Sequence, residues 1–426
     1  MSHAWNLPED VQALFHYFHT KAAALFLVGG AVRDFLQGLE PVDYDFAVNV
    51  PPDDLVRLLQ DSSYELYRQG ERFGTIGVLI GGKNYEITSF RKEDRYLDHR
   101  HPDVIHFTPS LEEDLARRDF TINAMAWSPT TGLVDPYGGL ADLRSLKIRA
   151  VGDPRERMAE DALRILRALR FAAVLEAEIM PETAKAMEAF ESTIAALPGE
   201  RIGEELLKLF LSKRALKTLA RYPWAWTRSL EAVGSEAASL NLASYCELDP
   251  VVSVVYVMLS TPGLLQDFNV AELPRIAVLE GLASIYRRSD REDLRVLSGL
   301  LRDHLSLADV EGVMRAWAWP EDIRRSVLLT LVDYALASHV RSLDITLAAI
   351  LFTPERFKRL VRLLSLSGED EPTFSVLDVE KLRETLPLDQ ADLGWSADKL
   401  IAEGYRGEEI RHQRTKGLLR KWLEDL

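Results

Sequence analysis

Apolar residues recur at two different periods along this chain, and the change of period divides it. Over residues 7–21 the spacing is that of an amphipathic helix. Ala24–Val28 is a short unbroken apolar run that predicts a buried strand ending at Gly29-Gly30. A helix-like stretch over Ala31–Gln37, a turn at Gly38 and a strand over Tyr44–Val48 follow. Pro51–Gln60 opens on Pro-Pro and two aspartates, a helix-start signal. Ile76–Ile80 and Tyr85–Phe90 are β-rich runs separated by Gly81-Gly82, which predicts a hairpin. Residues 1–150 therefore predict an α/β head built around a mixed sheet.

Beyond Ala150 the apolar positions fall three and four apart, first from Pro154 to about Ala173, then over 181–197 and 201–220. Helical patterning continues to the end, interrupted at Pro223, Pro250, Pro262, Pro320, Pro354, Pro372 and Pro387. There is no exact internal repeat and no low-complexity tract. The expected layout is the α/β head, then an all-α remainder divided into 151–223, 224–365 and 366–426.

Length and composition sharpen this picture in three ways. At 426 residues the chain exceeds what one core organises, so several structural units are expected. Cys246 is the only cysteine, which excludes an intramolecular disulfide and any cysteine-based zinc site. The opening residues lack the basic start and apolar run of a signal peptide. No apolar stretch reaches the roughly 20 residues that span a bilayer. A cytoplasmic protein without a membrane partner is expected. The net charge of -15 argues against a uniformly basic nucleic-acid binder, so what matters is where the arginines cluster.

Three clusters carry candidate chemistry. The first is Gly29-Gly30-Ala31-Val32-Arg33-Asp34 followed by Asp43-Tyr44-Asp45. Residues two apart on a strand share a face, so Asp43 and Asp45 would offer two carboxylates to hard divalent cations. The glycine pair before a helix start allows close backbone approach to phosphate oxygens, and Arg33 can add a charge-assisted contact. A lone Asp-x-Asp is ordinarily just a polar strand edge; the order strand, Gly-Gly, helix with Arg, turn, Asp-x-Asp is what makes this one specific.

The second cluster lies in Leu115–Ala126, where Arg117, Arg118 and Asp119 precede an apolar run. Read functionally, Arg118 contacts a triphosphate or base and Asp119 orients it or the ribose. The third is a helical stretch in which Asp161, Arg164, Arg167 and Arg170 fall three apart and form one slowly winding stripe. Three arginines facing one way with a single carboxylate are better explained by a bound anion than by a solvated face. Asp161 and Arg164 also suit base selection. Asp accepts from the amino group of C or A while Arg donates to the adjacent ring nitrogen, and U or G mismatches both.

At this point the chain resembles the class II branch of tRNA nucleotidyltransferases, which includes bacterial poly(A) polymerases. The likeness runs from about Leu27 to Phe210 through LVGGAVRD, DYDFAV, FGTIGVLI, YEITSFR, SLEEDLARRDFTINAMA, DPYGGLADL, IRAVGDPRERMAEDALRILRALRF and ERIGEELLKLF. The resemblance implies a five-stranded nucleotidyltransferase head followed by helical neck, body and tail. It implies that Asp43 and Asp45 hold Mg2+, and that Gly30, Arg33 and Arg118 contact the nucleotide. Asp161 and Arg164 match the amino-acid template that pairs with the incoming base, with Arg167 and Arg170 as further nucleotide contacts. Glu200-Arg201 through Glu205 matches a motif that steadies the neck.

The implied substrates are CTP, ATP and the tRNA 3′ end, with no obligate protein partner. Arg411, Arg414, Lys416 and Arg420 form a positive run in an acidic protein, suited to tRNA phosphates, and Arg356, Lys358, Arg359 and Arg362 form a second group. Trp224 and Trp226 read as core residues. Within the family a flexible loop before the Arg-Arg-Asp motif accompanies adenosine addition. Arg91–Pro102, with Asp94, Arg95, Asp98 and Arg100, supplies such a charged loop. The expectation is addition of C, C and A. A-only addition is the rival, followed by CC-only addition and poly(A) synthesis, and a non-catalytic RNA-binding protein is the alternative of another class.

Overall fold

The computed structural model describes residues 7–62, 64–67, 74–94, 104–235, 250–261, 307–339 and 354–367, together with isolated positions. Two compact units are present, Met1–Leu197 and Pro198–Leu426.

The first unit is organised by a seven-stranded mixed sheet. Its strands are β1 (Leu25–Val28), β2 (Asp45–Val48), β3 (Glu65–Tyr67), β4 (Thr75–Ile80), β5 (Lys83–Ser89), β8 (Ala126–Ser128) and β9 (Gly132–Val134), in the order β3-β4-β5-β2-β1-β8-β9. Between β5 and β8 in the chain, β6 (Arg91–Asp94) and β7 (Val104–Phe107) form a separate antiparallel pair. Seven strands exceed the five that the resemblance implies. Two of them, β3 and β9, are three-residue edge strands, too short for an alternating pattern to mark.

Register explains the layers. β1 is antiparallel to β2 and β8, while β2 and β5 are parallel, pairing Asp45 with Glu86 and Phe46 with Ile87. Gly81 and Gly82 both take positive φ, at 58° and 81°, which is the backbone a two-residue hairpin turn demands. The predicted β4–β5 hairpin is present.

Helix α1 (Glu9–Thr20) buries Val11, Leu14, Phe15 and Phe18, positions on one helical face, and Phe15 meets Phe46 edge-on at 5.7 Å. On the opposite sheet face Phe26, Val28 and Ala47 pack with Leu115, Ala124, Ala126 and Val151. Fully burying each such large side chain contributes about 1.5–3 kcal/mol, so both faces are strongly fixed. Asp45 lies two residues before Ala47 and so belongs to this second face, the one that carries the arginines.

The remaining helices of this unit are α2 (Gly30–Leu36), α3 (Pro52–Gln60), α4 (Leu111–Ala116), α5 (Gly139–Arg144), α6 (Pro154–Glu160), α7 (Leu163–Val174) and α8 (Pro181–Ala189). A small parallel pair, β10 (Lys147–Ile148) with β11 (Glu178–Ile179), lies beside α7. The stretch from Pro154 to Ala173 is two helices, not one. Asp161 adopts φ -140° and ψ 109° at the break, and its carboxylate accepts from the Leu163 backbone N–H at 2.9 Å. Asp161 therefore stands off the stripe of Arg164, Arg167 and Arg170.

The second unit contains α9 (Gly199–Phe210), α10 (Ala215–Arg221), α11 (Pro223–Glu231), α12 (Pro250–Leu259), α13 (Leu307–Ala316), α14 (Glu321–His339) and α15 (Pro354–Ser367). Its core is aromatic. Phe210, Trp226, Trp317 and Trp319 are linked by ring centroids 5.3–6.2 Å apart. Each indole N–H is satisfied: Trp226 donates to Thr261 Oγ1 at 3.0 Å, Trp317 to Ser229 O at 3.4 Å and Trp319 to Gly203 O at 2.9 Å. Trp226 is thus a core residue, as expected, while Trp224 is half-buried against Tyr222. Among the described residues no helix is long and apolar enough to cross a membrane. The tail positions Arg411, Arg414, Lys416 and Arg420 lie outside the described residues, as does most of the Arg91–Pro102 loop.

Candidate nucleotide-binding site

β1 ends where α2 begins, and Gly29 makes the turn at φ 68°, a conformation L side chains rarely adopt. A β-carbon there would stand 3.1 Å from Arg118 Nη1, so the guanidinium rests close over bare backbone. Gly30 is the first residue of α2, and Arg33 follows one turn later.

Asp45 is the first residue of β2, whereas Asp43 lies just before the strand, in a segment without regular secondary structure. Asp45 keeps an accessible edge, yet the atoms packed around it displace enough water to push its carboxyl above the ordinary range. Arg118 opposes that rise, while Glu86 and Asp43 add to it by like-charge repulsion. Glu86, paired with Asp45 across β2–β5, is an acidic neighbour within the quoted motif YEITSFR whose place beside Asp45 only the parallel register reveals.

Hard oxygen donors repelling one another are the environment a divalent cation relieves, so the aspartate pair fits magnesium. Among the described residues, no group of three or more His, Cys, Asp or Glu side chains closes on a metal-sized point. Asp43 and Asp45 would hold such an ion with water and phosphate oxygens as the further donors, which is usual for magnesium.

The arginines are held by two buried carboxylates. Asp114, 0% exposed, binds Arg117 through Nε at 3.0 Å and Nη2 at 2.9 Å, and Arg118 through Nη2 at 3.2 Å. Burial alone would raise Asp114, but the two arginines outweigh it and hold the carboxyl low. Asp119, 8% exposed, takes Arg167 Nε at 2.8 Å and Asn123 Nδ2 at 3.1 Å. Burial again opposes the charge, yet Arg167, Asn123 and the Phe120 N–H keep the carboxyl at about 2. Asp119 therefore orients Arg167, not Arg118 as the spacing suggests; Arg118 is held from Asp114.

Arg33 completes the arrangement. Its Nη1 donates to Asn123 Oδ1 at 2.9 Å, and Nε and Nη2 reach Asp34 at 3.0 and 2.8 Å. Asn123 thus links Arg33 to Asp119 and onward to Arg167. The guanidinium carbons of Arg170, Arg33 and Arg167 stand 4.1, 5.2 and 5.4 Å from the centre of the Phe171 ring. Sequence spacing places Phe171 only on the apolar side of its helix and gives Asn123 no role, because the Arg33 that meets both lies far away in sequence.

Arg164 is only 7% exposed. Its guanidinium donates to Arg157 O and Arg117 O, both at 3.0 Å, and pairs with Glu160, which also pairs with Arg157. The side chain is fixed in one plane. In outline, Asp43, Asp45, Gly29 and Arg118 line one end of the sheet, and a polar network ties Arg33, Asp119 and Arg167 together.

Residues 25–149 match the poly A polymerase head domain. Residues 178–222 match the probable RNA and SrmB-binding site of polymerase A. The CCA-adding enzyme of Levilactobacillus brevis is 43% identical over 207 residues, 48% of this chain and 51% of that protein. The CCA-adding enzyme of Bacillus licheniformis is 43% identical over 194 residues, 46% of this chain and 48% of that protein. The chain spans about half the length of the curated relatives it matches. Among solved structures, the Bacillus stearothermophilus CCA-adding enzyme in complex with CTP has a TM-score of 0.58 at 23% identity, covering 97% of this chain and 93% of that one. That likeness speaks to the fold. The family resemblance read from the motifs is borne out, and so is the α/β head followed by helices.

Proposed function

We propose that this chain adds C, C and A to the 3′ end of tRNA from CTP and ATP, releasing pyrophosphate. The observation that carries the proposal is that Arg118 lies over the bare turn at Gly29 and that its charge is felt by the Asp45 carboxyl, which sets an acidic edge beside a cationic one. The CCA-adding relatives, at 43% identity, supply the chemistry that such an edge serves.

In this reading Asp43 and Asp45 hold Mg2+, which when bound neutralises phosphate charge and makes the RNA 3′-hydroxyl more acidic. Gly29 and Gly30 let phosphate oxygens approach the backbone, and Arg33 and Arg118 bind them. Arg167 and Arg170, aligned on Phe171, give further nucleotide contacts. The 3′-hydroxyl attacks the α-phosphorus in line and the bond to pyrophosphate breaks, with no covalent enzyme intermediate.

Base choice is assigned to Asp161 and Arg164. A guanidinium held by two carbonyls and Glu160 is fixed in orientation, which discrimination between bases requires. Residues 151–223 serve as neck, 224–365 as body and 366–426 as a tRNA-binding tail, with Arg411, Arg414, Lys416 and Arg420 on phosphates. The protein acts in the cytoplasm and needs no protein partner in this account.

The proposal is tested with three tRNAs ending before the CCA, after C and after CC, each offered CTP, ATP or both. Labelled C entering the first two and labelled A entering the third support it. Addition of A alone, of C alone, or of a run of A would replace it with a narrower or different transferase.

A further inference from the structure

Asp114 belongs to no motif position assigned above, yet it is the most completely buried carboxylate near the site, at 0% exposed. It sits near the end of α4 and takes three groups at once. Oδ1 accepts from Arg117 Nε at 3.0 Å and Nη2 at 2.9 Å and from the Arg91 backbone N–H at 3.3 Å. Oδ2 accepts from Arg118 Nη2 at 3.2 Å. A carboxylate withdrawn from water is tolerated only when its lone pairs are used in this way.

The placement of Arg118 gives this arrangement a consequence. One terminal nitrogen, Nη2, is engaged by Asp114, while the other, Nη1, is the atom closest to the site of a β-carbon on Gly29. Its Nε is buried with no hydrogen-bond partner among the described residues. Arg91, the third group on Asp114, is the first residue of β6 and of the charged Arg91–Pro102 segment. One carboxylate therefore fixes both the arginine above the glycine turn and the base of that segment.

We infer that Asp114 is a positioning residue for nucleotide phosphate: it holds the Arg118 guanidinium over Gly29 and ties it to the start of β6. The inference rests on the nucleotide-site reading proposed above. Asp114 touches no substrate and acts through Arg118.

The test is a double-mutant cycle on the full chain, read as affinity for CTP, ATP and inorganic tripolyphosphate and as KM against kcat. Asp114→Asn keeps the volume but turns an amide toward two guanidinium groups. Affinity for all three probes is expected to fall roughly tenfold, as the loss of a charge-assisted hydrogen bond predicts, with KM rising more than kcat falls. In an Arg118→Ala background the same change is expected to alter affinity less than about twofold, since the interaction it serves is already gone. Equal losses in both backgrounds, or an unchanged affinity in Asp114→Asn, would overturn the inference.

Should Asp114→Asn fail to fold, Arg118→Lys decides. A lysine can meet Asp114 or a phosphate but cannot bridge them, so its affinity should fall nearly as far as that of Arg118→Ala. Wild-type affinity in Arg118→Lys would contradict bridging. Failure of the underlying reading looks different: Arg118→Ala itself would then bind CTP and ATP as tightly as the wild type.

Discussion

Arg167 Nε stands 2.8 Å and Nη2 2.7 Å from the same carboxylate oxygen of Asp119, joining residues 48 positions apart in the chain. The pair links the Arg-Arg-Asp motif to α7, and through Asn123 it reaches Arg33. Three separate sequence motifs share one polar network.

Acid stability should report on that pair. The Asp119 carboxyl lies at about 2 in the folded protein against an ordinary 3.8. A lowered folded-state value means stability present above the unfolded value and lost as pH falls through 3.8 toward 2. The difference is worth about 2 kcal/mol. Thermal melts of the wild type should therefore lose stability across that window. Asp119→Asn should show a shallower loss there while starting less stable at neutral pH.

Arg167→Met leaves Asp119 buried without its cation. Removing one partner of a buried pair costs about 3–5 kcal/mol, so a clear drop in melting temperature is expected at neutral pH. An unchanged melt would show that Asn123 and the Phe120 N–H suffice to hold the charge.

The sheet and its hairpin were legible because their apolar runs are bounded by glycine pairs, whose role is local. Gly29-Gly30 and Gly81-Gly82 both mark turns where the patterning places them. The break at Asp161 was not, because apolar spacing continues through it from Met158 to Ile165. Its only sequence signal is an aspartate able to accept the N–H of Leu163 and restart a helix. The partners of Asp119 and Asp114 were hidden for another reason: which arginine a carboxylate takes is decided by tertiary packing. Asp119 sits next to Arg118 in sequence and binds Arg167 instead.

Asp43→Ala or Asp45→Ala should abolish nucleotide addition while leaving tRNA binding largely intact. Loss of several kcal/mol of metal-assisted stabilisation corresponds to roughly a thousandfold or more in rate. Primer extension and gel retardation on the same preparations separate the two effects. Near-normal addition by either variant would remove the pair from the chemistry.

Changing Asp161 or Arg164 should relax base choice more than it affects metal dependence. Each failed paired contact is worth about 1–3 kcal/mol, so discrimination against UTP and GTP should fall on the order of tenfold to a hundredfold. Single-nucleotide incorporation with each of the four triphosphates reads this directly. Unchanged selectivity in both variants would place base recognition elsewhere.

Phe171→Leu keeps an apolar side chain of similar burial but removes the ring that Arg33, Arg167 and Arg170 share. Each desolvated cation–π contact contributes up to about 2 kcal/mol, so nucleotide affinity should weaken several-fold or more with the fold retained. Affinities for ATP and CTP equal to wild type would reduce the ring to a packing role.

The central claim is most directly tested by offering the full chain one tRNA that ends before the CCA, all four nucleotide triphosphates and magnesium, then sequencing the 3′ ends. The account predicts products extended by C, C and A that stop there, without U or G. Ends that halt after two cytidines, lengthen into runs of A, or remain unextended would contradict it.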